Sequence, residues 1–315
     1  MTGRLIFRKL LLAVPTILIV SVVVFLLVHF VPGDPAVLIV GDANNSELLA
    51  RVRVELGLGR PLIEQYADWL GRIVRLDFGR SLLTQEEVLP LVLSRFSVTA
   101  WLVTIATSLS TLIAVPLGMI AAWRHRSRFD TGIVLLSVLA LSVPSFWMAI
   151  MLILLFGVEL GWLPTMGYLP PSAGLRSLAF ILLPVVALTF VQAGTVLRMA
   201  RSATLDVMRM DYVTFARSKG LSDRRILFRH VLPNAFSPVL TIVGLIFGNL
   251  LAGAAIIETV FTVPGLGRLL VESITSRDYP VIQGAVLFIS LVYIAVNLLV
   301  DLLYPVFDPK LRTKP

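Results

Sequence analysis

The sequence predicts an all-α integral membrane protein with six membrane-spanning helices and both termini in the cytoplasm. Of its 315 residues, 57% are hydrophobic and 15% are charged, and the mean hydropathy is +0.91. A soluble domain of this length cannot bury so much apolar surface. Six apolar runs have about the length needed to cross a bilayer, and basic residues concentrate in alternate connections between them.

The apolar runs lie at 10–28, 96–122, 132–157, 178–200, 236–261 and 281–306. The first is longer than the apolar core of a cleaved signal peptide, so we expect it to be retained as a span. Pro116, Pro144 and Pro184 lie inside later runs, which predicts kinks or local breaks there. The Gly- and Pro-rich stretch at 158–177 predicts a loop.

Lys and Arg set the predicted orientation. They concentrate before residue 10, at 123–131, at 198–234, which holds eight of them, and after residue 309. The opposite side has only Arg176, Arg268 and Arg277 in its short loops. Because short cytoplasmic loops carry the excess of positive charge, both termini are predicted to face the cytoplasm. The net charge of +8 then reflects membrane orientation, and no nucleic-acid partner is predicted.

Three regions follow from this topology. Residues 1–31 form the N-terminal tail and the first span, and residues 32–95 form a small extracytoplasmic helical segment. Capping and apolar spacing predict two helices in that segment, at 46–56 and 61–74. Residues 96–315 form a core of five spans that carries a basic cytoplasmic loop at 201–235.

No motif for catalysis or cofactor binding is present in the sequence. Cysteine is absent, which excludes disulfides and thiolate sites. There is no G-x-x-x-x-G-K-[ST] loop, no H-E-x-x-H and no G-x-S-x-G, and the three histidines are far apart. We therefore predict no catalytic residue, no metal site and no cofactor of the chain's own.

The spans are unusual in being uncharged. No Asp, Glu, Lys, Arg or His occurs at 96–122, 132–157 or 178–197. Ion-driven carriers usually need such groups in the membrane, so the energy source is expected to lie outside this chain. The neutral polar residues inside the spans include Thr104, Thr107, Ser108, Thr111, Ser142, Ser145, Gln192, Thr195 and Asn249. Gln192 and Asn249 are our candidates for the solute pathway.

Glu258 is a further candidate. It lies between the fifth span and an outer loop that contains Pro264, Gly265 and Gly267. It is either a gate or contact for a delivering protein, or, more simply, an interfacial acid in water.

The basic block, defined as Asp211–Asn234, is predicted to form two short helices joined by a sharp turn. Tyr212, Phe215 and Ala216 have the spacing of an apolar helix face. Gly220 is placed to end the first helix in a left-handed conformation, with Leu221 folding back onto Ala216.

Ser222 is placed to cap the second helix of the block and Pro233 to end it. Ile226, Leu227, His230 and Val231 give this helix its apolar side. Taken alone, the same pattern also fits a pair of interfacial helices held at anionic lipid.

The basic block also resembles the cytoplasmic coupling loop of ABC-transporter permeases of the dipeptide, oligopeptide and nickel importer family. The general loop signature is Glu-Ala-Ala, three residues, Gly, nine residues, Ile, one residue and Leu-Pro. The chain keeps Ala216, Gly220, Leu232 and Pro233 at that spacing. It departs from it at Thr214, Phe215 and His230 but matches the peptide-importer wording D-Y-V-x-x-A-R-x-K-G-L.

Other segments resemble the same family. They are F-R-K-L-L-L-A-V-P-T and V-P-G-D-P-A near the start, L-D-F-G-R-S at 76–81, and G-A-A-I-I-E-T-V-F-T-V-P-G-L-G, R-D-Y-P-V-I-Q-G-A-V and N-L-L-V-D-L-L-Y in the last third. The resemblance implies the type I importer permease fold in a prokaryotic cytoplasmic (inner) membrane.

It also implies five kinds of partner: a second permease, two ATP-binding subunits that hold ATP and Mg, an extracytoplasmic substrate-binding protein, a peptide or related small solute, and membrane lipid. The residues it assigns to ATPase coupling are Asp211, Tyr212, Phe215, Ala216, Arg217, Lys219, Gly220 and Leu221.

Two other functions stay open at this point. A stand-alone secondary carrier or channel would transport without an ATPase and would be expected to have a membrane-embedded acid or an inverted repeat. A membrane enzyme would need a convergent set of catalytic groups, and the sequence offers none.

Overall fold

The computed structural model describes residues 2–30, 50 and 59–307. Almost all of the predicted helix at 46–56 lies outside these residues. The helices are α1 (Thr2–Phe30), α2 (Leu62–Val74), α3 (Val88–Trp123), α4 (Arg128–Ser142), α5 (Ser145–Leu152), α6 (Leu175–Met208), α7 (Asp211–Ser218), α8 (Asp223–Ile226), α9 (Leu232–Gly253), α10 (Ala255–Val260), α11 (Leu266–Ser276) and α12 (Tyr279–Phe307). The predicted helix at 61–74 is thus confirmed as α2.

The predicted all-α membrane class is confirmed. Within the described residues, four helical stretches are long and apolar enough to cross a membrane: Val88–Trp123, Leu175–Met208, Asp223–Leu251 and Tyr279–Val300. The bent pair formed by α4 and the stretch Ser145–Glu159 makes a fifth. The first predicted span lies within α1. The count of six spans and their orientation stay predictions.

Pro144 breaks the third predicted span. α4 ends at Ser142, α5 begins at Ser145, and the two directions differ by 96°. Pro144 has no N–H to continue the helical ladder and disfavours the helical conformation of the residue before it. Val143 accordingly has an extended backbone, with ψ of 119°. Pro116 and Pro184, by contrast, lie within the continuous helices α3 and α6.

The prediction that a helix ends at Pro233 is wrong. α8 passes into a π-helical turn at Leu227–Val231 and then into α9, and Pro233 lies in the first turn of α9. In the turn, the Leu232 N–H donates to the Leu227 carbonyl, five residues earlier. A proline is tolerated near a helix start, and the π turn shifts the bonding pattern just ahead of it. The run from Asp223 to Gly253 is therefore helical without a gap.

One compact unit comprises residues 1–97 and 268–294. Its buried cluster is formed by Val24, Phe25, Trp69 and Leu287. Phe25 meets the Tyr66 ring edge-on at 5.5 Å between centroids, and the Ser21 hydroxyl lies 2.7 Å from the Tyr66 hydroxyl. These contacts fix α2 against the first helix.

The same unit joins two connections that the topology predicts on one side of the membrane. Ser81, in the loop before α3, donates to the Asp278 carboxylate at 2.5 Å, and the Leu82 N–H donates to it at 3.1 Å. Ser81 and Asp278 are both buried. The segments L-D-F-G-R-S and R-D-Y-P, far apart in sequence, thus meet at a buried hydrogen-bonded site.

The second unit comprises residues 98–267 and 295–315, and α6 runs through its centre. α4, α5 and α9 all pack against α6. Two glycines permit close approach: a Cβ at Gly118 would lie 2.7 Å from the Leu197 carbonyl oxygen, and one at Gly194 would lie 3.0 Å from that of Ser137. Small residues at such crossings let membrane helices pack backbone to backbone.

Candidate functional site

The turn of the basic block has the conformation that the sequence predicts. Gly220 has φ of +75°. Its N–H donates to the Arg217 carbonyl at 2.9 Å, and the Leu221 N–H donates to the Ala216 carbonyl at 3.3 Å. This pair of bonds is the Schellman motif, which satisfies carbonyls that the end of α7 leaves free. Ser222 is the N-cap residue of α8, as predicted, but its side chain makes no capping bond.

The apolar face predicted on α7 is only partly buried. Val213 and Ala216 are buried, whereas Tyr212 is exposed and Phe215 retains 67% of its accessible surface. Phe228, one residue into the π turn, is also exposed at 59%. Large aromatic side chains rarely stay in solvent without a partner. The block therefore presents an uncovered aromatic face.

Three arginines lie beside Phe228. Arg224, Arg225 and Arg229 line an open groove of about 630 Å³ together with Phe228. Asp211, Arg217, Lys219 and Gly220 are exposed as well, and Leu221 is half-buried. The surface thus combines apolar anchors with positive charge, which suits an acidic or mixed protein groove.

Contacts at its ends hold the basic block in place. The Arg217 guanidinium lies over the Trp123 ring at 5.7 Å, which links α7 to the end of α3, and its Nε lies 3.8 Å from Asp223. The Tyr212 hydroxyl donates to the His230 carbonyl at 3.5 Å, a long bond that spans the turn. Partial burial raises the pKa of Tyr212, so the hydroxyl stays a donor at neutral pH.

A buried ion pair lies beside the block, and the sequence pattern did not predict it. Arg201 on α6 donates to both oxygens of Asp130, from Nε at 2.6 Å and from Nη2 at 2.9 Å. Asp130 is buried, and it also accepts from the Arg126 N–H at 3.0 Å. The pair fastens the start of α4 to α6. The Ser127 side chain accepts a hydrogen bond from the Asp130 N–H. This Ser-x-x-Asp capping spacing was the sequence signal that could have indicated Asp130.

Gln192 and Asn249, both predicted pathway residues, meet in one place. With Ser145, Leu188, Val191 and Leu250 they line the polar pocket, a cavity of about 190 Å³. The 96° break at Pro144 brings Ser145, the first residue of α5, to this cavity beside α6 and α9. All its polar side chains are neutral.

Glu258 lies elsewhere, and the simpler interpretation of it as an acid in water is wrong. Its side chain is fully buried, and it accepts a hydrogen bond of 2.5 Å from the Thr99 hydroxyl. The Leu266 N–H donates to the same hydroxyl at 2.8 Å, so α10, α3 and the start of α11 share one bonded site. Gly265 leaves room for it, because a Cβ there would lie 2.2 Å from the carboxylate. No pattern in the sequence indicates Thr99 as a partner, because it lies 159 residues away.

The described residues contain no group of three or more His, Asp or Glu side chains that could hold a metal ion. The sites that the structure does contain are an aromatic and basic surface, a neutral polar cavity and two buried carboxylate anchors.

Comparison with known proteins covers nearly the whole chain. Residues 114–313 match the family described as binding-protein-dependent transport system inner membrane component, and residues 2–103 match the N-terminal family of such membrane components. A peptide transport system permease protein of Brucella melitensis biotype 1 is 44% identical over 316 residues, which is 99% of each chain. A glutathione transport system permease protein of Salmonella choleraesuis is 42% identical over 308 residues, which is 98% of each chain.

A solved structure shares the fold. A chain of the MetNI methionine ABC transporter, crystallised in inward-facing conformations, superposes with a TM-score of 0.55 at 14% identity. The match covers 69% of this chain and 96% of that one.

Proposed function

The chain belongs to the family of binding-protein-dependent transport system inner membrane components, and from this we propose that it forms, with a second permease, the translocation path for di- or oligopeptides or a related small solute. It is a multi-pass inner-membrane permease subunit of an ABC importer. In this class ATP hydrolysis belongs to separate ATPase subunits, and a substrate-binding protein supplies the solute. Family membership therefore argues against the stand-alone carrier and the membrane enzyme.

The observation that carries the proposal is the aromatic face of the basic block. Phe215 and Phe228 are exposed on either side of a turn that two backbone bonds close and Gly220 permits, and arginines line the groove at Phe228. A surface of this kind can dock into a groove on an ATPase subunit, with the aromatic rings as anchors. We assign Tyr212 and Phe215 to packing, Arg217 and Lys219 to charge contacts and Gly220 to the turn.

The proposed mechanism uses this surface to transmit motion. ATP and Mg are held by the partner subunits, and their closure displaces the docked blocks as rigid bodies. The spans of the two permeases then move, so that the translocation path closes to the outside and opens to the cytoplasm. Arg217 over Trp123 and the Arg201–Asp130 pair would carry the displacement of the block to α3, α4 and α6.

The proposed substrate class rests on relatives and on the lining of the path. The named relatives transport peptides or glutathione, a small peptide. Gln192 and Asn249 offer neutral hydrogen bonds rather than charges, which suits peptides of varied sequence. The substrate-binding protein would deliver to the surfaces at 32–95 and 262–280, and the Glu258 anchor would hold the second of these as a gate.

Replacing Phe215 by alanine tests the proposal. The full complex, expressed with its ATPase subunits, should lose co-purifying ATPase and peptide uptake in the Phe215→Ala variant, because an exposed anchor is removed without disturbing the fold. Trp162→Ala is the matched control, since Trp162 is an exposed aromatic residue outside the block. Equal ATPase retention in the two variants would refute docking through the block. Absence of peptide uptake by the wild-type complex would refute the substrate class.

A further inference from the structure

The polar pocket holds hydrogen-bonding groups that the fold leaves unused. Among the described residues, neither the Gln192 and Asn249 amides nor the Ser145 hydroxyl makes a side-chain hydrogen bond. Several hydroxyls of the spans are bonded locally: those of Ser142 and Thr241, for example, donate to carbonyls one turn earlier. Ser145 and Gln192 are half-buried and Asn249 is exposed, so these groups are open to the cavity. Three hydrogen-bonding groups that converge on one cavity favour a polar occupant.

The size of the cavity restricts that occupant. A water molecule takes about 30 Å³ of liquid volume, so about six waters would fill the space. Sites that enclose a whole drug-sized ligand are larger, at roughly 300–1,000 Å³. The polar pocket is thus a subsite for one short segment of a solute.

The chemistry of the lining restricts it further. The Gln192 and Asn249 amides each offer an N–H donor and a carbonyl acceptor, and the Ser145 hydroxyl offers both roles. Among the described residues no charged side chain lines the cavity, so a free ammonium or carboxylate would find no counter-charge there. Leu188, Val191 and Leu250 supply an apolar wall.

A peptide group meets these conditions. It is neutral, it carries one N–H donor and one carbonyl acceptor, and carbon atoms that pack on an apolar wall flank it. Every peptide has this group whatever its side chains. We propose that the polar pocket binds a backbone peptide group of the solute in transit, with Ser145, Gln192 and Asn249 as the recognising residues. This inference rests on the proposed function, because it takes the solute to be a peptide.

Uptake of modified peptides tests the assignment. The complete complex, reconstituted in lipid vesicles with its binding protein, is offered trialanine and trialanine analogues in which one peptide N–H is methylated. The wild-type complex should take up at least one methylated analogue about tenfold more slowly, as expected for one lost neutral hydrogen bond. Gln192→Leu and Asn249→Leu should slow the uptake of trialanine by about the same factor. The ratio of the uptake rate of trialanine to that of the analogue should then fall close to one.

The matched control is Thr241→Val. Thr241 lies on α9 with Asn249, but its hydroxyl bonds within the helix. This variant should keep the wild-type ratio. Unchanged ratios in the Gln192 and Asn249 variants, or no discrimination by the wild type, would overturn the pocket assignment and leave the peptide importer standing. A wild-type complex that imports no peptide would overturn the proposed function itself.

A second measurement does not depend on transport. The chain has no cysteine, so Asn249→Cys introduces the only thiol on it. In the assembled complex, trialanine supplied with binding protein and ATP should slow labelling of this thiol by a small methanethiosulfonate, whereas Thr241→Cys should label at the same rate with or without peptide. Identical labelling of the Asn249→Cys chain in both conditions would also overturn the assignment.

Discussion

Replacing Gly220 by valine should uncouple ATP hydrolysis from uptake while leaving the membrane core folded. Gly220 has φ of +75°, and a Cβ at this position would meet no atom within 4 Å. The cost is therefore conformational and not steric. An L-residue in the left-handed region loses about 1–2 kcal/mol, which changes the ratio of closed to open turn by a factor of about 5 to 30.

The damage should stay local, because only the two bonds of the turn depend on that conformation. When residue 220 leaves the left-handed conformation, the hydrogen bond from its N–H to the Arg217 carbonyl is lost. The bond from the Leu221 N–H to the Ala216 carbonyl is lost as well. The direction of α7 relative to α8 is then no longer fixed. Reconstituted Gly220→Val complex should hydrolyse ATP at a rate at or above half the wild-type rate but import at least fivefold less peptide per ATP.

Gly161→Val is the matched control for this prediction. Gly161 has φ of +63° and equally open surroundings, but it lies outside the basic block. Both variants should lose a similar amount of thermal stability, and only Gly220→Val should lose uptake per ATP. Gly220→Asn should be intermediate, since asparagine tolerates the left-handed region better than valine. Normal uptake per ATP in Gly220→Val, or an equal loss in Gly161→Val, would refute the reasoning.

Two further predictions concern the buried anchors. Arg201→Ala should destabilise the purified chain by about 3 kcal/mol in denaturant unfolding, because it leaves the buried Asp130 carboxylate without its bidentate partner. Adding Asp130→Ala should then cost less than Asp130→Ala alone, and additive losses would contradict the pairing. Gly265→Ala should lower the midpoint of thermal unfolding, because its Cβ would lie 2.2 Å from the Glu258 carboxylate. Glu258→Ala in the same chain should restore part of that loss, and no restoration would show that the clash is elsewhere.

The features that the sequence predicted well depend on local chemistry. Gly220 ends α7 and Pro144 breaks a span because each acts through its own backbone. The pairing of Gln192 with Asn249 was predicted only as a shared role. That shared role could be predicted because the spans are otherwise uncharged, and an amide side chain is strongly polar by comparison.

The features that the sequence did not predict depend on which surfaces meet. On α7, Tyr212 and Phe215 form an i, i+3 pair, and so do Val213 and Ala216. Spacing cannot tell which pair faces the chain's own core. The larger pair was predicted as part of an apolar face and as packing anchors for an ATPase subunit, and the chain buries the smaller pair. If a partner subunit covers the aromatic face, the pair that the chain itself buries can be predicted only from the assembled complex.

The buried carboxylates illustrate the same limit at longer range. For Glu258 the simpler of the two interpretations was an acid in water, because a lone acid near the end of a span has no visible partner in its own segment. Its partners, Thr99 and Leu266, come from two other segments. Pro233 was expected to end a helix because proline usually does, and the π turn that lets the helix continue is not encoded by any single residue.

The unbroken run from Asp223 to Gly253 gives the molecule a lever arm. Phe228 stands near one end and Asn249 near the other, about 30 Å apart at 1.5 Å per residue. A tilt of about 10° around Phe228 would swing Asn249 by about 5 Å. If the run moves as one body, a displacement of Phe228 at the proposed ATPase-facing end would also move Asn249 at the polar pocket.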